Sequence, residues 1–343
     1  MRAIIKNERA PGAVLKSVPV PEPGPGQVLV KVEAAGICGT DLHLYEWNVW
    51  AQNTVTSVPL IIGHEFSGEV VAVGTGVEQT KPGDYIAAET HIPCGSCFQC
   101  HTGQQHICNK LRLFGIHTDG CFADYTLLPE VCARKIPAAI PRNIAALMEP
   151  FGTAVRAAQK AGVAGANAAV IGCGPIGLGV IAAARAMGAV QIIAMDISSR
   201  RLGLAEQLGA TAVIDPQRTE APAAVLELTG GIGADCFVDA SGSADAVAQG
   251  FSYLRKGGRV VLVGLPARPV NLEVSREVVF KEATITGIHG REMFATWAIC
   301  ERMLATGRVD LEPIISHDMP MDRFEDAFRL LQEGQASKII LRP

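Results

Sequence analysis

Four cysteines, Cys94, Cys97, Cys100 and Cys108, stand at C-x2-C-x2-C-x7-C spacing in "HIPCGSCFQCHTGQQHIC". Four thiolates complete a tetrahedral zinc shell and leave no position for substrate or water, so such a site braces the chain rather than reacting. An iron–sulfur cluster is the alternative for the first three cysteines. That run wants its next Cys sooner and followed by Pro, whereas Asn109 follows Cys108 here. His91, His101 and His106 interleave with the thiols and are expected on the surface of this lobe. A reactive zinc needs something different: three protein ligands and one exchangeable position. "GICGTDLH" offers Cys38, "IIGHEFSGE" offers His64 and Glu65, and "LMEPFGTAV" offers Glu149. Each has an ordinary structural reading by itself, as a core Cys, a turn His or a carboxylate at a helix start. Their weight comes from standing together with the four-Cys lobe and a nucleotide motif.

That motif is Gly172, Gly174 and Gly177 in "AAVIGCGPIGLG", a G-x-G-x-x-G directly after an apolar run and opening a helical one. Glycine permits the tight turn and the approach of backbone to a pyrophosphate, which then sits on the helix N-terminus. Asp196 ends the next apolar run, where a carboxylate accepts hydrogen bonds from ribose hydroxyls and repels a 2′-phosphate. Arg200 and Arg201 follow it and could serve such a phosphate. Asp196 outweighs them, and the reading is NAD.

Positioning these residues takes two kinds of architecture. Residues 1 to about 150 hold short β-type runs broken by Gly and Pro, as in "GQVLVKVEAAGIC" and "GHEFSGEVVAVG", which suggests a β-rich domain. From 151 to 290, Ala-rich helical stretches alternate with apolar runs at 168–172, 191–196, 212–215, 236–241, 259–264 and 284–288. Six such strands predict a doubly wound parallel sheet, making the chain α/β. Its 343 residues suit two cores, and 48% hydrophobic against 19% charged residues describes an ordinary globular chain. The net charge of −4 and the lack of a Lys/Arg-rich run speak against nucleic acid or an anionic membrane as partner. The N-terminal apolar run stops at Lys6, and the most hydrophobic stretch is interrupted by Arg185 and glycines. Neither fits a leader or a membrane span, and a cytoplasmic protein is expected. In that reducing compartment closely spaced cysteines bind metal more often than they form disulfides.

Taken in order, "GICGTDLH", "GHEFSGEVVAVG", the four-Cys lobe, "GCGPIGLG" and Asp196 resemble the zinc-dependent medium-chain dehydrogenase/reductase superfamily. Within it, "GICGTDLHLYEWNVWAQ", "MEPFGTAV" and "GIHGREMFATW" resemble the branch that oxidises the 3-hydroxyl of L-threonine. The resemblance implies a GroES-like catalytic domain of residues 1–150, to which 291–343 return, and a Rossmann NAD-binding domain of 151–290. It implies a catalytic zinc on Cys38, His64 and Glu65, with Glu149 close by as an exchanging ligand or a modulator of substrate binding. The Cys94–Cys108 site would hold a second, structural zinc. Thr40 and His43 would relay the proton. Ile176, Asp196, Arg201, Val263, Gly264, Leu265, Ile288 and His289 would line NAD, and the molecule would be a homotetramer. Polyol and secondary-alcohol dehydrogenases, of sorbitol or 2,3-butanediol type, share nearly every superfamily motif and form the nearest alternative. A dinucleotide-binding redox sensor is the rival outside catalysis, and it would need no proton relay.

Overall fold

Strand Gln27–Gly36 carries Val28, Val30 and Val32 into the core while Lys31 faces solvent, the period-2 pattern of a half-buried strand. It is the hub of a seven-stranded sheet, pairing antiparallel with Glu65–Val73, Tyr125–Pro129 and the C-terminal strand Lys338–Arg342. Tyr85–Ala88 and Ala133–Lys135 extend it on one side and Ile315–Pro320 on the other. Register fixes the neighbourhood that matters: Gly36 lies opposite Glu65 on one side and Ile340 on the other. Phe66, Phe114, Phe122 and Phe328 are almost wholly buried in the core below. A short pair, His91–Ile92 with Arg112–Leu113, carries the four-Cys lobe.

The six parallel strands are Asn167–Ile171, Gln191–Met195, Ala212–Ile214, Ala234–Asp239, Leu254–Leu262 and Thr284–Gly287. Their spatial order is third, second, first, fourth, fifth, sixth, the Rossmann order with its switch point between the first and fourth strands. Local signals end the elements where sequence chemistry directs. Ser198 caps the helix Ser199–Leu208 by accepting from the Arg201 amide, and Gly209, at φ 114°, terminates it in the left-handed region.

This computed structural model describes residues 1–343 and separates them into two units, Met1–Glu149 with Ile315–Pro343, and Pro150–Ile314. The return to the first unit therefore begins at Ile315, not at 291. Helix Ala295–Ala305 stays with the second unit because it buries Trp297 and Cys300 there, with Trp297 against Phe294 and Arg291. No helix is long and apolar enough to cross a membrane.

Candidate metal centres and dinucleotide site

Cys38 ends the hub strand's extension and stands in extended backbone immediately before helix Gly39–Glu46. His64 and Glu65 enter the adjoining strand, so pairing across the sheet gathers all three. One ligand atom from each of Cys38, His64 and Glu65 lies within 4.8 Å of the others. Thiolate, imidazole and carboxylate form a zinc-type donor set, with three ligands leaving a fourth position open.

The residues behind these donors fit a metal too. Asp41 is fully buried; its Oδ2 accepts from the Cys38 amide at 2.9 Å, and its Oδ1 lies 3.4 Å from Nδ1 of His64. Those last two atoms lack a well-aligned hydrogen bond, and a metal drawing Nε2 forward would use Nδ1–H toward Asp41. Burial disfavours the imidazolium, yet the charges of Asp41 and Cys38 overcome it and hold His64 well above its ordinary pKa. Metal binding must displace that proton.

Glu65 is held from the other side. Nζ of Lys338 donates to its two oxygens at 2.7 and 3.0 Å and to the Ile37 carbonyl at 2.9 Å. A Cβ on Gly36 would meet Glu65 Oε2 at 2.5 Å, so glycine leaves the space in which this carboxylate sits. Burial pushes the Glu65 carboxyl up, Lys338 opposes it and Glu149 adds to it. Lys338, though buried, is kept above its ordinary pKa by Glu65 and the neighbouring Cys38.

Glu149 falls outside the three-donor cluster, and its Oε1 accepts from the Thr90 hydroxyl at 2.8 Å. Thr40 and His43 lie on helix Gly39–Glu46. His43 is exposed and its Nδ1 is 2.8 Å from the side-chain amide nitrogen of Asn48. Asn48 Oδ1 meanwhile accepts from the Ala51 amide, so the amide nitrogen is the atom turned to His43.

Cys94, Cys97, Cys100 and Cys108 also gather within 4.8 Å. Cys97 Sγ lies 3.5 Å from that of Cys100 and 3.7 Å from that of Cys108. Tetrahedral zinc at about 2.3 Å from each sulfur requires separations of roughly 3.8 Å, whereas a disulfide requires about 2.05 Å. Amides of Cys94 and Lys110 point at Cys108 Sγ, each at 3.3 Å, as they do toward a thiolate. The surface expectation holds for His101 but fails for His91 and His106, which are buried. His91 turns inward because Glu89, itself fully buried, accepts from its Nδ1 at 2.6 Å.

In the second unit a cavity of about 490 Å³ opens at the switch point, lined by Gly172, Gly174, Asp196, Arg201 and Ser241 among others. Gly172 has φ 86°, and a Cβ on Gly177 would strike the Gly172 carbonyl at 1.8 Å. Turn and close packing thus each require glycine. Asp196 is fixed by the Cys173 and Ser198 amides at 2.8 and 2.9 Å, with Arg201 3.8 Å away. Gly177, Ile176, Val263, Gly264, Leu265, Ile288 and His289 do not line this cavity. Val263 to Leu265 and Ile288–His289 follow the ends of the fifth and sixth strands, beyond the switch point.

Residues 24–138 match the alcohol dehydrogenase GroES-like domain and residues 175–306 the zinc-binding dehydrogenase domain. The L-threonine 3-dehydrogenase of Bacillus licheniformis is 44% identical over 343 residues, covering 100% of this chain and 99% of that protein. The chain belongs to the zinc-dependent medium-chain dehydrogenase family. Among solved structures, 2R,3R-butanediol dehydrogenase from Bacillus subtilis superposes with a TM-score of 0.91 at 30% identity, covering 100% of this chain and 99% of its own. A short chain alcohol dehydrogenase from E. coli CFT073, complexed with NADH, gives 0.92 at 28% identity with the same coverage. The family is zinc-binding, and two clusters of metal-binding side chains in this chain offer sites for that ion. Sequence reading missed Asp41, Thr90, Asn48, Ser241 and Lys338. Only Asp41 carried a signal, standing three residues after Cys38 where a helix-starting carboxylate reaches back.

Proposed function

We propose that this dehydrogenase oxidises the 3-hydroxyl of L-threonine with NAD⁺, giving 2-amino-3-oxobutyrate, NADH and a proton. The observation that carries the reading is the Cys38–His64–Glu65 cluster, with Cys38 half-buried and the other two buried, in a chain 44% identical, end to end, to L-threonine 3-dehydrogenases. Zinc, when bound there, supplies a Lewis acid that lowers the pKa of the alcohol, and NAD⁺ accepts the hydride. Asp41 keeps the His64 ring oriented and Lys338 keeps Glu65 in its niche, so the donors are arranged before substrate arrives. Thr40 takes the proton lost by the alcohol, and the exposed His43, one helical turn on, hands it to water. Glu149, held by Thr90 beside the His64 backbone, modulates what binds at the centre. Ile176, Val263 to Leu265, Ile288 and His289 join the lined cavity in holding NAD once the cofactor is in place. Asp196 selects NAD over its 2′-phosphorylated form.

A homotetramer is the assembly we infer. Strand Thr284–Gly287 ends its sheet with Ile285 42% exposed and Phe280 72% exposed nearby, an edge that invites pairing with a second copy. The cytoplasm suits ten free cysteines, five of them in the two metal clusters and five buried elsewhere. A sorbitol- or butanediol-type activity remains the second reading, favoured by the likeness to butanediol dehydrogenase. Initial rates with L-threonine, sorbitol and 2,3-butanediol, each with NAD⁺ and NADP⁺, separate them. L-threonine with NAD⁺ gives the highest kcat/KM; a higher value for either polyol transfers the assignment to it.

A further inference from the structure

We propose that Thr90 is a positioning residue that withholds Glu149 from the metal, so that the fourth position of the Cys38–His64–Glu65 centre stays open. The inference rests on the reading of that cluster as the reactive zinc site. The Thr90 hydroxyl lies 2.8 Å from Glu149 Oε1 and 3.3 Å from the His64 carbonyl oxygen. A hydroxyl has one proton to give, and the shorter bond to the carboxyl group takes it. Thr90 and Glu149 are 4% and 9% exposed, so water competes little for this contact. The Thr90 hydroxyl thus sets Glu149 beside the backbone of the ligand His64, yet Glu149 stands outside the set of donors within 4.8 Å of one another. A carboxylate beside three zinc ligands is itself a strong fourth ligand. Were it to bind, the shell would close and resemble the four-cysteine lobe.

The tether is rigid enough for this task. Thr90 is β-branched, which stiffens its side chain. Its carbonyl accepts from the Phe114 amide at 3.0 Å, and the preceding Glu89 amide donates to the Cys132 carbonyl at 2.9 Å. Glu89 Oε1 also accepts from the backbone and ring of His91, at 2.9 and 2.6 Å. Cys94 of the lobe follows four residues after Thr90. The lobe's bracing thus reaches the reactive centre through Thr90.

Thr90→Val removes the hydroxyl at nearly constant volume, and Thr90→Ser keeps it. The test uses full-length enzyme at rest, with zinc or with cobalt(II) in its place, and imidazole as the probe for an open position. In wild type and Thr90→Ser, added imidazole shifts the cobalt visible spectrum. In Thr90→Val, Glu149 fills the position, so the spectrum ignores imidazole and zinc loss to a chelator slows roughly tenfold or more. Thr90→Ala, should the valine variant fold poorly, gives the same result. Adding Glu149→Ala to either variant restores the imidazole response. A Thr90→Val spectrum that still answers imidazole as wild type does overturns the proposal, as does slowed zinc loss that persists without Glu149. No substrate enters these measurements, so their outcome is independent of whether L-threonine is the alcohol oxidised.

Discussion

The two metal clusters of the first unit are built on opposite plans. The lobe draws four identical donors from one stretch, Cys94 to Cys108, and two of them, Cys94 and Cys97, are partly exposed. The other centre draws three unlike donors from two separate stretches, buries His64 and Glu65, and depends on Asp41 from the helix after Cys38 and on Lys338 from the C-terminal strand. A closed shell of thiolates needs only local spacing and can do no Lewis-acid chemistry. An open mixed shell needs long-range support, because a vacant position and a buried carboxylate are stable only when neighbours hold them.

The largest effect that sharpens this contrast is expected from Cys38→Ser. Turnover falls by at least about a thousandfold, since zinc's share of the activation is lost. Circular dichroism and the lobe's zinc are retained. An active Cys38→Ser enzyme breaks the contrast outright. Lys338→Met comes next. It leaves Glu65 buried without its cation and destabilises the first unit by about 3 kcal/mol or more, measured as a shift in the urea midpoint. An unchanged midpoint would mean that the pair is dispensable. Asp41→Ala frees the His64 ring and weakens zinc at the reactive centre by roughly 10- to 100-fold in a chelator competition, with the lobe's affinity unchanged.

The contrast also explains what could be read from the chain. The lobe was legible because its ligands sit at short, fixed spacing. The dinucleotide fold was legible because Gly172, Gly174 and Gly177 follow one strand and Asp196 ends the next. Lys338 gave no signal: it reaches Glu65 through the pairing of Lys338–Arg342 with Gln27–Gly36, a contact across almost the whole sequence. Thr90 is equally silent, one hydroxyl in "AAETHIP" whose partner stands 59 residues away. His91 and His106 misled because a histidine beside thiols looks solvent-facing until its buried partner or packing is seen.

The smallest effect separates the clusters by protons. In the metal-free lobe, hydrogen bonds from Ser96 bring Cys94 down to about 6, whereas burial pushes Cys100 up to about 11. At neutral pH Cys100 therefore keeps a proton that zinc must expel, and zinc affinity falls as pH drops from about 8 to about 6. Zinc added to stripped protein in weak buffer should release acid, and the half-saturating zinc concentration should rise at the lower pH. An affinity independent of pH over that interval contradicts the thiolate shell.

The most direct test of the division of labour is zinc content and turnover measured together in wild type and Cys97→Ser. Two zincs per wild-type chain are expected, one in Cys97→Ser, and turnover in the folded variant within about tenfold of wild type, at a lower Tm. If Cys97→Ser abolishes turnover while both zincs remain bound, the lobe takes part in the chemistry and the account is wrong.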